Sequence, residues 1–253
     1  MTDNKQNTTT SIYKLDGRHE LPSELVGGKA LNLNWLCHEG FIIPEAVVLP
    51  GNQPVDEAAH LQIARFLDKI HAQYGSETRF SIRSSAAQED GLKHSYAGMF
   101  QSYLDVDKSD VYWRVLMCRN YQSHRLQHYA PSADINTIAV IIQRMLEPSI
   151  SGVAFTMDPV NNSYDRIVVE YTTGTAEKLV GGVITPSSLT LRKQGLAVLF
   201  QEIEDNNVLQ TEKAKLLGRL LIHMETLTGY PVDVEFAFEG KTLYFLQMRP
   251  VTT

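Results

Sequence analysis

Residues 79–106 read RFSIRSSAAQEDGLKHSYAGMFQSYLDV, and this stretch decides how the rest of the chain is interpreted. Residues 80–83 have the character of a short strand, and residues 103–106 resume strand-like alternation after a long segment rich in serine, alanine, glycine and charge. Arg83 therefore stands where a strand passes into a loop with small side chains and approachable backbone N–H groups, as a polyphosphate site requires. Taken alone, the stretch fits an ordinary surface loop about as well as a phosphate-binding loop.

Composition limits the classes of function. The chain has 253 residues, and a hydrophobic content of 43% can fill the core of one large domain or of two lobes. Its net charge of −6 gives no electrostatic footprint for nucleic acid, so no such partner is expected. Cys37 and Cys118 lack partners at metal-binding spacing, which favours buried thiols in a reducing compartment. Because no apolar run has the length of a membrane span or an export signal, we expect a cytoplasmic protein that binds no membrane.

Gly27, Gly28 and Lys29 precede an apolar-periodic segment that predicts a helix over residues 30–39. Backbone N–H groups and the helix dipole at such a start favour phosphate, and Lys29 adds a positive charge. The motif is not a Walker A loop, whose pattern is absent from the chain. By itself the pattern favours a plain glycine turn before an amphipathic helix.

The remaining pattern predicts two lobes, residues 1–135 and residues 136–253. Asp56 is predicted to cap a helix that continues to about Tyr74, and Ser109 one that continues to about Tyr129. A turn-rich segment at 131–134 marks the predicted boundary. The second lobe is predicted to contain a helix over 211–228, ended by Gly229, and strands at 138–143, 152–156, 167–171 and 188–192.

The last segment predicts a hairpin with a polar face. Alternation places Asp233 and Glu235 on one face of its first strand, and Gln247 and Arg249 on one face of its second. A two-residue loop would set these pairs on opposite faces, whereas an odd loop at 238–240 would bring them together. We predict the odd loop, with Gly240 left-handed.

That face has the chemistry of a magnesium site. Carboxylate and amide oxygens are hard ligands, and Mg²⁺ commonly completes its shell with waters and substrate phosphates. The odd loop also places Leu243 and Phe245 on this face, which favours the wall of a cleft. The alternative is a solvent-facing polar surface of an edge hairpin.

Four motifs together resemble the N-terminal ATP-binding domain of the pyruvate phosphate dikinase and phosphoenolpyruvate synthase family, to which rifampicin phosphotransferase also belongs. They occur in the family's order over nearly the whole chain: Gly27-Gly28-Lys29, the loop from Arg83-Ser84-Ser85-Ala86 to Ser95-Tyr96-Ala97-Gly98, Gln143-Arg144-Met145 with Ser151 to Pro159, and Gln247-Met248-Arg249-Pro250. The resemblance implies an α+β, ATP-grasp-like fold of two lobes, with ATP and Mg²⁺ held in the cleft between them.

The resemblance also implies roles for individual residues. Lys29 and Arg83 would hold and activate the phosphates, and Arg249 would reach the transferring phosphoryl group. Glu235 and Gln247 match the residues on the metal side. The nucleotide would be lined by Gly98, Ser102 and Tyr103, with Gln143 near the base.

The sequence departs from the family pattern in places. Gly98-Met99-Phe100-Gln101-Ser102 lacks the polar and acidic residues usual in that loop, Gly174-Thr175-Ala176-Glu177 replaces Gly-Leu-Gly-Glu, and Pro44-Glu45 replaces Pro-Gly. These changes affect the expected phosphate lid and the acceptor side.

The resemblance predicts an ATP- and magnesium-dependent phosphotransferase, similar to a free-standing nucleotide-binding half of a dikinase. Family enzymes continue into domains that carry a phosphohistidine and bind the acceptor, whereas this sequence ends at Thr253. The expected acceptor is therefore a histidine on a separate protein or a small molecule. Two alternatives remain open, an ATP-grasp ligase acting through an acyl phosphate and a non-catalytic ATP-binding partner or sensor module.

Overall fold

The computed structural model describes residues 12–86, 102–129, 138–176, 182–204 and 209–251, with side chains of 121–129 outside the description. The chain divides into two compact units, residues 1–34 with 45–145 and residues 35–44 with 146–253. None of the helices in the described ranges is long and apolar enough to cross a bilayer.

The first unit is built on a five-stranded antiparallel sheet with the order β1-β2-β5-β3-β4. Its strands are β1 (Tyr13–Lys14), β2 (Ala46–Leu49), β3 (Phe80–Ser85), β4 (Ser102–Val106) and β5 (Ala139–Arg144). Helix α1 runs over Ser23–His38 and crosses the division after Asn34, while α2 (Glu57–Tyr74) and α3 (Val111–Tyr129) belong wholly to this unit.

One face of this sheet forms the core of the unit with α2 and α3. Alternate strand residues such as Phe80, Ile82 and Ile142 are buried there together with Ile63 and Val115 of the helices. Burial of this apolar face is what holds the sheet and the helices together.

The two helices predicted after Asp56 and Ser109 are present in this unit as α2 and α3, but the second is capped by a different residue. Asp56 caps α2 by accepting from the Ala59 N–H at 2.8 Å, as the sequence predicts. Before α3, Asp107 rather than Ser109 caps a 3-10 turn at Lys108–Asp110. The Asp107 carboxylate accepts from the Ser109 N–H at 3.0 Å, since a carboxylate reaches the exposed N–H groups of the turn.

The strand predicted at 138–143 belongs with the first sheet. Residues Ala139–Arg144 form β5, which lies between β2 and β3. The division between the units accordingly falls after Met145, whereas the sequence-based boundary falls after residue 135. Strand pairing between distant segments decides this membership, and no local pattern records it.

The second unit contains a six-stranded antiparallel sheet with the order β11-β10-β6-β7-β8-β9. The strands are β6 (Ile150–Phe155), β7 (Arg166–Thr173), β8 (Ser187–Arg192), β9 (Val198–Glu202), β10 (Val232–Glu239) and β11 (Thr242–Pro250). Helix α4 (Thr211–Thr228) buries the stripe Ala214, Leu217, Gly218, Leu221 and Met224. It ends at Gly229, as the sequence predicts, and Gly229 has a left-handed conformation.

Candidate functional site

The β10–β11 hairpin carries four polar side chains on one face. Asp233 pairs with Arg249 and Glu235 pairs with Gln247 across the two strands. Directly paired residues of antiparallel strands project to the same side of a sheet. The predicted grouping of these four side chains on one face is therefore present.

The predicted odd loop, however, is wrong. Glu239 pairs with Thr242, so the turn has two residues, Gly240 and Lys241, with Gly240 at φ +60°. The register shifts between Glu235 and Phe236, where Leu246 is the extra residue on β11. This β-bulge adds one residue to one strand, and it restores the common face that a two-residue turn alone would have lost.

The apolar neighbours expected on this face lie on the other one. Phe245 pairs with Phe236 and Leu243 with Phe238, and all four side chains are buried. The expectation for Leu243 and Phe245 fails because the bulge lies beyond them, so that they keep the alternation set by the two-residue turn. Their face packs with α4, whose Lys213 ammonium lies 4.9 Å from the centre of the Phe238 ring.

Asp233 and Arg249 form the best-defined polar contact of the hairpin. The Arg249 Nε–H donates to Oδ2 of Asp233 at 2.7 Å. The Asp233 side chain is only 9% exposed, whereas that of Arg249 is 57% exposed. Burial raises the pKa of Asp233 above its ordinary value, and the neighbouring guanidinium offsets part of that rise.

The sequence pattern placed Asp233 on this polar face but gave it no individual role in catalysis or binding. A signal for it exists in the i, i+2 spacing with Glu235, which puts both carboxylates on the face that holds Arg249. Its partner could not be read from that spacing, because the cross-strand register depends on the bulge at Leu246.

Glu235 and Gln247 fit a magnesium ion. They lie opposite each other, are both half-buried, and offer a carboxylate and an amide oxygen on one face. Among the described residues, no group of three or more His, Cys, Asp or Glu is arranged to hold a metal. Two protein oxygens nevertheless suit Mg²⁺, which keeps waters and takes substrate phosphates as further ligands.

In the first unit, Arg83, Ser102 and Gln143 share one face of the sheet. Arg83 pairs with Ser102 of β4 and with Ile141 of β5, and Gln143 lies two residues along β5 from Ile141. This face is opposite to the one that packs on α2 and α3. The sheet therefore brings together three of the residues predicted to contact the nucleotide.

Tyr103 lies on the other face. It pairs with Ile82, packs against the core of the unit, and has the Arg114 guanidinium 5.0 Å from the centre of its ring. Its side chain is therefore not grouped with Arg83 and Gln143. Gly98, the remaining residue predicted to line the nucleotide, lies outside the described residues.

Lys29 lies in the first turn after a break in α1. Gly27 has a non-helical φ of 73°, so the regular helix begins at Gly28, as the glycine motif predicts. The Gly28 N–H donates to the Ala86 carbonyl at 3.3 Å, and the Ala30 N–H donates to the Ser85 hydroxyl at 3.2 Å. These two backbone donors dock the helix on the end of β3, so the phosphate role expected of this helix start rests on the half-buried Lys29 side chain.

Gln143 is buried, with 2% of its surface exposed. Its Nε2 atom has no hydrogen-bond partner within the described part of the chain. A buried amide that leaves a donor unused costs stability, so the arrangement suits a residue whose partner is a ligand.

Glu45, which replaces the usual glycine of the family, forms a polar cluster beside Gln143. Its Oε2 accepts from Nε of Arg144 at 2.8 Å, and its Oε1 accepts from the Tyr74 hydroxyl. The Arg144 guanidinium also lies over the Tyr74 ring, 4.0 Å from its centre. The cluster anchors the end of β5 that carries Gln143.

A comparison with known protein families gives a match over residues 48–208 and 198–253 to the family described as pyruvate phosphate dikinase, AMP/ATP-binding domain. The chain belongs to this family. Membership confirms the resemblance inferred from the four motifs. It also supports ATP as the nucleotide that the chain uses.

Curated relatives carry several names within this family. The chain is 30% identical to the prodigiosin synthesizing transferase PigC of Serratia marcescens, over 96% of its own length and 33% of the relative. It is 26% identical to a probable phosphoenolpyruvate synthase of Methanocaldococcus jannaschii, covering 78% and 19% of the two chains. With the rifampicin phosphotransferase of Bacillus subtilis it shares 28% identity, covering 72% and 24%. The chain thus spans a third or less of these relatives.

Solved structures confirm the α+β, ATP-grasp-like fold. The dinucleotide-forming acetyl-coenzyme A synthetase 1 of Ca. Korarchaeum cryptofilum matches with a TM-score of 0.51 at 8% identity, over 89% of this chain and 92% of that one. A protein of Pyrococcus horikoshii Ot3 matches with a TM-score of 0.51 at 12% identity, over 91% and 93%. At such low identity the likeness concerns the fold alone.

Proposed function

We propose that this chain is an ATP- and magnesium-dependent phosphotransferase of the kinase and dikinase type. The observation that carries the proposal is the polar face of the β10–β11 hairpin, where Asp233 pairs with Arg249 and Glu235 pairs with Gln247. In an AMP/ATP-binding domain, a carboxylate, an amide and an arginine on one face are the groups that phosphoryl transfer needs.

The first unit would bind the nucleotide. Lys29 and Arg83 provide positive charge for the phosphates, and Ser102 lies directly opposite Arg83 with a hydroxyl on the same face. Gln143 provides the buried amide that would recognise the base. Phosphoryl transfer depends on such positioning and on neutralising charge on the phosphate oxygens, so these residues would bind and orient ATP for the reaction. Gly98 and Tyr103 remain predicted contacts of the nucleotide.

The second unit would supply the metal ligands and an arginine for the transferring group. Glu235 and Gln247 would hold Mg²⁺, which neutralises phosphate charge when bound. Arg249 would donate to the equatorial oxygens of the transferring phosphoryl group. Because negative charge on these oxygens changes in the transition state, the contact with Arg249 would be stronger there than in the ATP complex. It would therefore lower the activation barrier more than it tightens the binding of ATP.

The acceptor would be a histidine of a separate protein or domain, or a small molecule. Among the relatives, the name rifampicin phosphotransferase refers to the small molecule rifampicin. The name phosphoenolpyruvate synthase refers to the product phosphoenolpyruvate. If one terminal phosphate passed to a histidine and the other to water or inorganic phosphate, the nucleotide product would be AMP, whereas direct transfer of one phosphoryl group to the acceptor would give ADP.

The test is to incubate the purified chain with ATP and Mg²⁺, with and without extract of its source cells, and to resolve the nucleotides by phosphorus NMR. AMP as the product would support dikinase chemistry. ADP would support a direct kinase or a ligase, and detection of an acyl phosphate intermediate would distinguish the ligase from the kinase. Tight ATP binding without any product under either condition would favour a non-catalytic binding module and contradict the proposal.

Variants of the hairpin sharpen this test. Arg249→Ala should abolish turnover while changing the Kd for ATP by no more than about threefold, because its contact forms chiefly in the transition state. Lys241→Ala, an exposed residue in the turn of the same hairpin, is the matched control and should behave as the unaltered chain. Equal losses of affinity and turnover in Arg249→Ala would contradict the assigned role.

A further inference from the structure

The two side chains in the contact between Asp233 and Arg249 differ strongly in exposure to solvent. The carboxylate side chain is 9% exposed and accepts from the arginine Nε–H at 2.7 Å, whereas the arginine side chain is 57% exposed. Arginine carries five N–H donors in a rigid planar fork, and Nε–H is the donor nearest the aliphatic stem. A bond at Nε therefore restrains the orientation of the guanidinium group, although the arginine side chain as a whole is 57% exposed.

The pair also has a fixed place relative to the proposed metal ligands. Asp233 and Arg249 are directly opposite each other, and the next polar pair along the strands is Glu235 with Gln247. The alternation of a strand puts both pairs on one face, two residues apart along β10. A guanidinium held at Asp233 is thereby held at a set spacing from Glu235.

We propose that Asp233 is a positioning residue, which holds the Arg249 guanidinium in the orientation that contacts the transferring phosphoryl group. The inference rests on the proposed function of Arg249. It adds that this function requires a second residue, Asp233, to hold the arginine in place. Asp233 itself contacts neither ATP nor metal in this scheme. Its carboxylate restricts the rotation that a long, surface-exposed arginine side chain otherwise has. Without this contact, the arginine would have to be ordered again at each turnover, at a cost in conformational entropy.

A purely stabilising ion pair would account for the same contact differently. Exposed ion pairs contribute little to stability, and a buried carboxylate costs desolvation that its partner only partly returns. A carboxylate buried at such a cost beside an arginine whose side chain is 57% exposed fits a role in orienting that arginine.

The first experiment measures the order of the arginine directly and needs no turnover. In ¹⁵N spectra, the Nε–Hε signal of Arg249 is identified by its loss in Arg249→Lys. We expect this signal to show high order and slow exchange with water in the unaltered chain, and to lose both in Asp233→Asn, which keeps the shape but removes the charge. An equally ordered Arg249 signal in Asp233→Asn would overturn the proposal.

The second experiment measures turnover. Asp233→Asn should lower kcat by on the order of 100-fold, the effect of a misplaced catalytic group, while the KM for ATP changes by less than about threefold. Glu202→Gln, an exposed carboxylate on β9 of the same sheet, is the control and should leave both constants unchanged. A folded Asp233→Asn with normal kcat, or with a loss of KM alone, would contradict the positioning role.

Chemical rescue is a third experiment, made first with Asp233 intact and then with Asp233 altered. In Arg249→Ala, added guanidinium ion should bind at the vacated position, shift the ¹³C resonance of the Asp233 carboxyl group and restore turnover several-fold. In Arg249→Ala combined with Asp233→Asn, the same concentration should restore nothing. Equal rescue in both backgrounds, or no shift at Asp233, would count against the proposal.

These readings separate the two claims. If ATP is not turned over at all but the Arg249 signal loses order in Asp233→Asn, the phosphotransferase proposal fails and the positioning contact stands. If ATP is turned over and the arginine signal and kcat are both unaffected, the phosphotransferase proposal stands and the inference about Asp233 is wrong.

Discussion

Gly27 and Ser85 approach so closely that a Cβ atom on Gly27 would lie 2.6 Å from the carbonyl carbon of Ser85. Gly27 also has φ and ψ of 73° and 168°, a backbone conformation that is essentially restricted to glycine. The next residue, Gly28, donates its N–H to the Ala86 carbonyl. The start of the Lys29 helix is thus docked on the strand of Arg83 through a contact that a larger residue could not make.

Gly27→Ala should lower the free energy of unfolding by at least about 3 kcal/mol, from backbone strain together with the clash against Ser85. Gly75→Ala is the matched control, since Gly75 has φ +103° but nothing within 4 Å of a Cβ atom. It should cost only the strain, about 1–3 kcal/mol. Urea unfolding of the two variants measures the difference, and equal losses would show that the contact with Ser85 is unimportant.

Gln143→Leu should weaken ATP binding by about tenfold, the effect of losing one hydrogen bond, while leaving the melting temperature unchanged or slightly higher. The expectation follows because the buried Nε2 has no partner among the described residues, so that leucine of similar volume removes an unsatisfied donor. Calorimetric titration with ATP and thermal unfolding test both parts. A loss of stability with unchanged affinity would instead mark Gln143 as a structural residue.

Glu235→Ala should abolish the strengthening of ATP binding by Mg²⁺, because the carboxylate is the one charged protein ligand in the proposed pair with Gln247. ATP titrations with Mg²⁺ and with EDTA give the measurement. Glu202→Ala, on the exposed edge strand β9, should retain the full effect of Mg²⁺. If Glu235→Ala kept that effect, the metal assignment would have to be abandoned.

Glu45 should make the stability of the first unit sensitive to acid. Burial raises the pKa of Glu45, but hydrogen bonds from Tyr74 and Arg144 outweigh it and hold that pKa below its ordinary value of 4.5. A carboxyl with a lowered folded pKa stabilises the fold fully above the unfolded pKa, and this contribution is lost as the pH falls through the folded pKa.

Glu45→Gln should therefore unfold about 1–2 kcal/mol more easily than the unaltered chain at pH 7. The difference should shrink as the pH falls below about 4.5, where the unaltered carboxyl also becomes protonated. Chemical unfolding at a series of pH values measures it, with the exposed Glu20→Gln as control. A difference that stays constant from pH 7 to pH 3 would contradict the lowered pKa.

Local signals in the sequence predicted much of the fold. Asp56 at the start of α2 and Gly229 at the end of α4 were identified correctly, because caps and glycine ends depend on neighbouring residues. The predicted cap at Ser109 was wrong. Asp107 and Ser109 both offer side-chain oxygens, and it is the Asp107 carboxylate that forms the cap. The strand at Ala139–Arg144 was found, but its place in the first sheet was not, because sheet membership depends on pairing with distant segments.

For the candidate site, the sequence likewise predicted some features correctly and missed others. Asp233, Glu235, Gln247 and Arg249 were expected on one face and are found there, but through a bulge at Leu246 and a two-residue turn. Tyr103 was predicted, like Arg83 and Gln143, to contact the nucleotide; its side chain lies on the opposite face of the sheet, and the contact stays a prediction. The bulge on β11 leaves no mark that alternation alone can detect. The opposite faces of Ser102 and Tyr103, in contrast, follow from alternation because the two residues are neighbours in one strand.

The sequence by itself determined the family, the ATP-grasp-like fold class and the residues that carry charge or amide groups, since these follow from the types of residue and their order along the chain. Tertiary structure alone decided which residues meet: Asp233 with Arg249 and Glu45 with Arg144 through their side chains, and Gly27 with Ser85 through their backbones. The physical reason is that residue type and local periodicity act over a few positions, whereas register, bulges and burial are set by contacts between segments far apart in the chain.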